Sequence, residues 1–198
     1  MIELEADLPA ELVPLSWLIG LWEGTGVVSY KIGDDLVELE FGQRISFSHD
    51  GLPHLNYSSY TWLIDEQNTP HVTETGYWRL SRPAHEGDPG PGMLLGAGPR
   101  PYSTADSVES LRNNTDGFDL DVTILHPGGV AEVYLGQVKG GRIDLSTDAV
   151  MRTVTAKDYA AATRIYGLVE SHLLWAWDIA ALGQDLRTHA SGRLARVQ

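Results

Sequence analysis

The sequence predicts an all-β protein, an antiparallel barrel of about ten strands behind a short N-terminal helical turn. Three observations carry this: period-two alternation of apolar residues, closely spaced turn residues, and no long helical periodicity. The clearest alternation places Val37, Leu39, Phe41, Ile45 and Phe47 on one face and Glu38, Glu40, Arg44, Ser46 and Ser48 on the other. That is the pattern of a half-buried strand.

Taken in order, Pro14-Leu15-Ser16-Trp17-Leu18-Ile19 forms the helical turn, and strands begin at Gly20. The strand with Val37 ends at the turn His49-Asp50-Gly51, and Leu55 to Ile64 resumes before Asp65-Glu66-Gln67-Asn68. Val72 to Leu80 forms another strand. Residues 81–116, dense in Pro and Gly, read as a surface loop inserted into the domain, with a helical stretch allowed around Thr104 to Leu111. Alternation returns at Phe118, Leu120, Val122 and Ile124, and Pro127-Gly128-Gly129 turns the chain into Val130 to Gln137. After Lys139-Gly140-Gly141 come β-like runs at Ile143 to Ser146, Val150 to Ala156, Thr163 to Val169, Leu173 to Ala181 and His189 to Val197. A barrel is favoured over an open sheet because closure removes exposed strand edges and leaves room for a small ligand.

The chain has 198 residues, 42% of them hydrophobic and 21% charged, which suits one globular domain over residues 1–198. No apolar run reaches the roughly 20 residues of a membrane-spanning helix. The first residues, Met1-Ile2-Glu3-Leu4-Glu5-Ala6-Asp7, are acidic where a secretory signal is basic, so a cytoplasmic setting is expected. There is no cysteine, which excludes disulfides, thiolate metal sites and a cysteine nucleophile. A net charge of −13 disfavours nucleic acid and anionic lipid as partners. No GxSxG, phosphate-binding loop or dinucleotide fingerprint occurs.

Gly20-Leu21-Trp22-Glu23-Gly24-Thr25-Gly26 has the form GxWxGxG. Its glycines relieve crowding where a strand bends or a ligand approaches, and Trp22 supplies either core filling or a wall for a ligand. This segment, with Pro14 to Leu18 before it, resembles the nitrobindin family. So do Ile45-Ser46-Phe47-Ser48-His49-Asp50-Gly51-Leu52-Pro53, Glu74-Thr75-Gly76-Tyr77-Trp78-Arg79, Gly129-Val130-Ala131-Glu132-Val133-Tyr134-Leu135-Gly136, and Asp178-Ile179-Ala180-Ala181 through His189, in that order. The resemblance covers nearly the whole chain outside 81–116.

The resemblance implies a ten-stranded barrel similar in shape to lipocalins and fatty-acid-binding proteins, holding one heme b per chain. It implies isomerisation of peroxynitrite to nitrate, reversible nitric oxide binding, and His189 as axial ligand of the iron. The partners implied are these small molecules, with a homodimer allowed. Imidazole is a natural heme ligand, and a single protein ligand leaves the opposite iron face open. The alternative role for His189 is a capping or surface histidine at the start of the last strand. Trp175, Trp177 and Ile179 share one strand face, and Ile179 aligns with a family position that is often methionine, so it contacts either porphyrin or core. Where relatives have a threonine near the heme, this chain has Ile32, which donates no hydrogen bond, beside Lys31, which has the charge to pair with a propionate. His49 and His54 flank a turn and share a metal only through loop closure.

The rival reading is a nonenzymatic carrier or sensor of a fatty acid, or of heme with nitric oxide. A carboxylate ligand calls for a buried cation, for which Arg44, Arg79, Arg152 and Arg164 are the candidates, each otherwise an outward-facing arginine. No catalytic acid or base stands out apart from the heme iron.

Overall fold

Ten strands pair in the order β1-β10-β9-β8-β7-β6-β5-β4-β3-β2, every neighbour antiparallel, and β1 closes the barrel by pairing with both β2 and β10. They are β1 (Gly20–Ile32), β2 (Asp35–Ser48), β3 (Leu55–Leu63), β4 (Pro70–Leu80), β5 (Phe118–His126), β6 (Val130–Lys139), β7 (Arg142–Arg152), β8 (Tyr159–Val169), β9 (His172–Ala181) and β10 (Arg187–Arg196). The computed structural model describes residues 8–32, 35–181 and 187–197. Among these residues no helix is long and apolar enough to cross a membrane.

The alternation read from the sequence matches the burial pattern over most of the wall, except that Leu39, on the face read as apolar and buried, is exposed. Phe41, Ile45 and Phe47 of β2, and Leu120, Val122 and Ile124 of β5, point inward and are buried. Two further details differ. Ile143 to Ser146 and Val150 to Ala156 are not two strands: β7 runs unbroken from Arg142 to Arg152, its pairing with β6 slipping by one residue between Val133 and Tyr134. Such a bulge flips the facing of a strand without ending it, so its apolar residues look like two runs. The N-terminal turn is also longer than expected, a 3-10 helix over Ala10–Leu18.

That helix plugs one end of the barrel. Leu12, Leu15 and Leu18 are fully buried, and Trp22 donates from Nε1 to the Leu18 carbonyl at 2.7 Å. The segment between β4 and β5 gathers at the same end. Buried Arg82 reaches Glu11 of the plug at 2.7 Å and Asp88 at 2.6 Å, and a short helix, α1 (Ala105–Glu109), turns Val108 into the core. In an up-and-down barrel the β1–β2, β3–β4, β5–β6, β7–β8 and β9–β10 connections share the opposite rim. The Pro/Gly-rich segment is therefore at the plugged end and does not cover the other mouth.

The glycines of GxWxGxG serve barrel closure. A methyl group at Gly24 would run into the Arg193 carbonyl of β10, and one at Gly26 into the Ser191 carbonyl and the Phe41 ring. Gly24→Ala should lower stability by about 1–3 kcal/mol, the usual cost of overpacking, read as a drop in denaturant midpoint.

Candidate functional site

At the unplugged end the interior widens into a cavity of about 200 Å³, lined among others by Val28, Phe41, Tyr57, Glu74, His126, Arg164, Trp175, Trp177 and His189. His189 reaches it through an irregularity. In the β9–β10 pairing Thr188 faces Asp178 and Ala190 faces Trp177, so the register shifts at His189, an extra residue in β10. Period-two alternation would send His189 outward, because inward-facing Ala190 and Leu194 are even-numbered and buried. The bulge re-aims it, and both His189 and Ala190 line the cavity. The half-buried imidazole meets Trp177 edge to face at 5.6 Å between ring centres and Tyr30 at 6.5 Å.

Below His189 lies a buried ion cluster. The Arg164 guanidinium donates to both carboxylate oxygens of Glu74 at 2.8 and 2.9 Å, and to the Tyr134 hydroxyl at 3.0 Å, with Glu132 at 3.4 Å. Glu132 also accepts from the Tyr134 hydroxyl at 2.6 Å, from the Tyr159 hydroxyl, and pairs with His126 Nε2 at 2.7 Å. Tyr57 donates to Glu74 at 2.9 Å. Burial raises the proton affinity of Glu74, but the charge and hydrogen bonds of Arg164 outweigh it and hold its carboxyl down at about 2. Glu132 is lowered too: burial opposes this, and the His126 hydrogen bond and the Arg164 charge overcome it.

This makes part of the fold's stability pH dependent. The folded pKa of Glu74 lies below its ordinary 4.5, so its contribution is complete above that value and lost as pH falls toward about 2. The stability advantage of the wild type over Glu74→Gln, measured by denaturant titration, should be largest at pH 7 and shrink from about pH 4.5 downward.

The other candidates from the sequence separate clearly. Ile179 is half-buried on the inward face of β9 with Trp175 and Trp177, packed against the core and not part of the cavity lining. Trp22 is a correction: it sits on the N-terminal plug with Arg196 over its ring at 4.6 Å, away from the cavity, because the motif lies at the plugged half of β1. Lys31 is exposed, on the opposite face of β1 from the buried Val28. The side chain of Ile32 lies outside the described residues. Of the four candidate arginines, Arg44, Arg79 and Arg152 form outward ion pairs with Glu23, Asp121 and Asp158, and Arg164 is buried. His54 packs edge-on against Tyr77 at 5.2 Å, and among the described residues no group of three or more His, Asp or Glu is placed to hold a metal ion.

The donor set suits a heme: of the three histidines that line the cavity, His126 is tied to Glu132 and His71 is exposed, while His189 stands among aromatic rings, and no metal cluster is found among the described residues. The cavity volume is below the roughly 300–1,000 Å³ of typical ligand pockets, so a heme would have to extend beyond it. The family model for the THAP4-like, heme-binding β-barrel domain matches residues 11–196. The chain belongs to this family. As a member of the THAP4-like family it is a heme-binding barrel. It is 69% identical to the peroxynitrite isomerase of Leifsonia xyli subsp. xyli and 69% to that of Clavibacter michiganensis subsp. michiganensis, over the full length of each. It is 50% identical to the peroxynitrite isomerase of Kocuria rhizophila over all of this chain and 96% of that one. The crystal structure of Rv2717c from M. tuberculosis has the same fold, with a TM-score of 0.68 at 24% identity over 99% of this chain and 100% of that one.

The sequence reading missed Glu74, Glu132, His126, Tyr134 and Tyr159. A signal for two of them was present: Glu74 has the parity of inward-facing Trp78, and Glu132 that of Tyr134 and Val138.

Proposed function

We propose that the protein is a peroxynitrite isomerase that holds one heme b per chain, with His189 as axial ligand of the iron. Full-length likeness to proteins of that name supports the reaction. The observation that carries the ligand assignment is the β10 bulge, which turns His189 into the cavity of a family that binds heme. We read residues 1–198 as one domain with 81–116 as an insertion remote from the site, and nitric oxide as a further small-molecule ligand of the same site.

Ferric heme, when bound, would supply Lewis-acid chemistry for the isomerisation of peroxynitrite to nitrate. The protein holds the iron from one side through His189. Val28, Phe41 and Trp175 present apolar surface in the same cavity that would limit the access of water to the site. No side chain has to accept or donate a proton, since reactant and product differ only in connectivity.

The carrier reading is disfavoured by Arg164, the buried cation a fatty acid would need, which is already bound in bidentate fashion to Glu74 and contacts Glu132. The test is stopped-flow decay of peroxynitrite with the heme-loaded protein. Faster decay than the protein-free blank, with nitrate replacing nitrite as the main product, is expected; decay at the blank rate contradicts the enzyme.

A further inference from the structure

We infer that Trp177 is a positioning residue for His189 and that the buried Arg164 cluster is its foundation, so that the cluster sets the orientation of the iron's axial ligand. This rests on the reading of His189 as that ligand. A histidine at a strand bulge has its backbone placed by the bulge, and the groups packed on its ring bear on how the ring sits. Trp177 lies against the imidazole at 86°, a near-perpendicular contact.

Trp177 is itself held on several sides. The Arg164 guanidinium carbon lies 4.2 Å from its ring centre, and His126 lies nearly parallel to it, at 12° and 6.0 Å. Tyr159 meets it at 66° and 6.4 Å. Each of these three is in turn tied to the two carboxylates: Arg164 to Glu74 and Glu132, His126 and Tyr159 to Glu132. A desolvated cation against an indole is among the stronger of such contacts, and here the cation has no freedom to move away. The connection therefore runs from the carboxylates through Arg164 and Trp177 to His189. The cluster would otherwise have no evident role, for it touches no proposed reacting atom and burying it is costly.

Outer groups that orient a metal-ligating histidine are typically worth about 10–100-fold in metal affinity. Two measurements test the assignment without relying on turnover. In the wild-type protein without heme, nuclear Overhauser contacts between the His189 and Trp177 ring protons should define one ring orientation; their absence would overturn the proposal whether or not any variant folds. In the heme-loaded protein, transfer of heme to excess apomyoglobin should be about tenfold faster for Trp177→Leu and close to wild type for Trp177→Phe, which keeps an aromatic ring. A Trp177→Leu protein with unchanged circular dichroism and a wild-type heme release rate also overturns it. If His189→Ala releases heme no faster than wild type, it is the ligand assignment that fails, a result distinct from either of these.

Discussion

Replacing His189 with alanine is expected to lower heme affinity by at least about 100-fold while leaving the barrel intact. The bound is conservative, since removing an outer-shell partner of a ligating histidine already costs about 10–100-fold, and this change removes the proposed ligand itself. The fold should survive because His189 is half-buried at a bulge and contributes no position to the β9–β10 ladder, which runs from Thr188 directly to Ala190. Titration of ferric heme into both proteins, followed at the Soret band, measures the difference. A melting temperature within a few degrees of wild type would show that the loss is local.

Arg164→Met is expected to have the largest effect on stability. Arg164 is 2% exposed and is the guanidinium that compensates Glu74 and Glu132, so methionine leaves two carboxylates packed together against an aromatic wall. Breaking a buried ion pair from one side costs about 3–5 kcal/mol. For a chain of this size that corresponds to a fall in melting temperature of roughly 6–20 °C. The loss should shrink at acidic pH, because carboxylates without their cation take up protons and cease to repel each other. A variant that melts like the wild type at pH 7 would mean that the cluster is not the tightly coupled unit its geometry indicates.

Much of the barrel was legible because period two is a direct consequence of strand geometry and one face of each strand had to be apolar. Phe41 to Phe47 and Phe118 to Ile124 announced themselves in this way, whereas Leu39, read on the same face, is exposed. The same rule hid the ion cluster. Glu74, Glu132 and Arg164 occupy inward positions among Trp78, Tyr134 and Tyr166, and a carboxylate between apolar neighbours reads as outward-facing until its partner is known. That partner lies 90 residues away for Glu74, a pairing that only strand order brings about. His189 was legible by resemblance and not by pattern, because the bulge that aims it leaves no mark in the alternation. For Trp22 the sequence left core filling and a ligand wall both open, and the close approach of β10 to Gly24 and Gly26 accounts for the glycines of the motif by packing.

The most direct test of the central claim, that the β10 bulge presents His189 to the heme iron, is the resonance Raman spectrum of the ferrous heme-loaded protein. The wild type should show an iron–histidine stretching band that is absent in His189→Ala and returns when imidazole is added. The same band, unshifted, in His189→Ala without imidazole would contradict it.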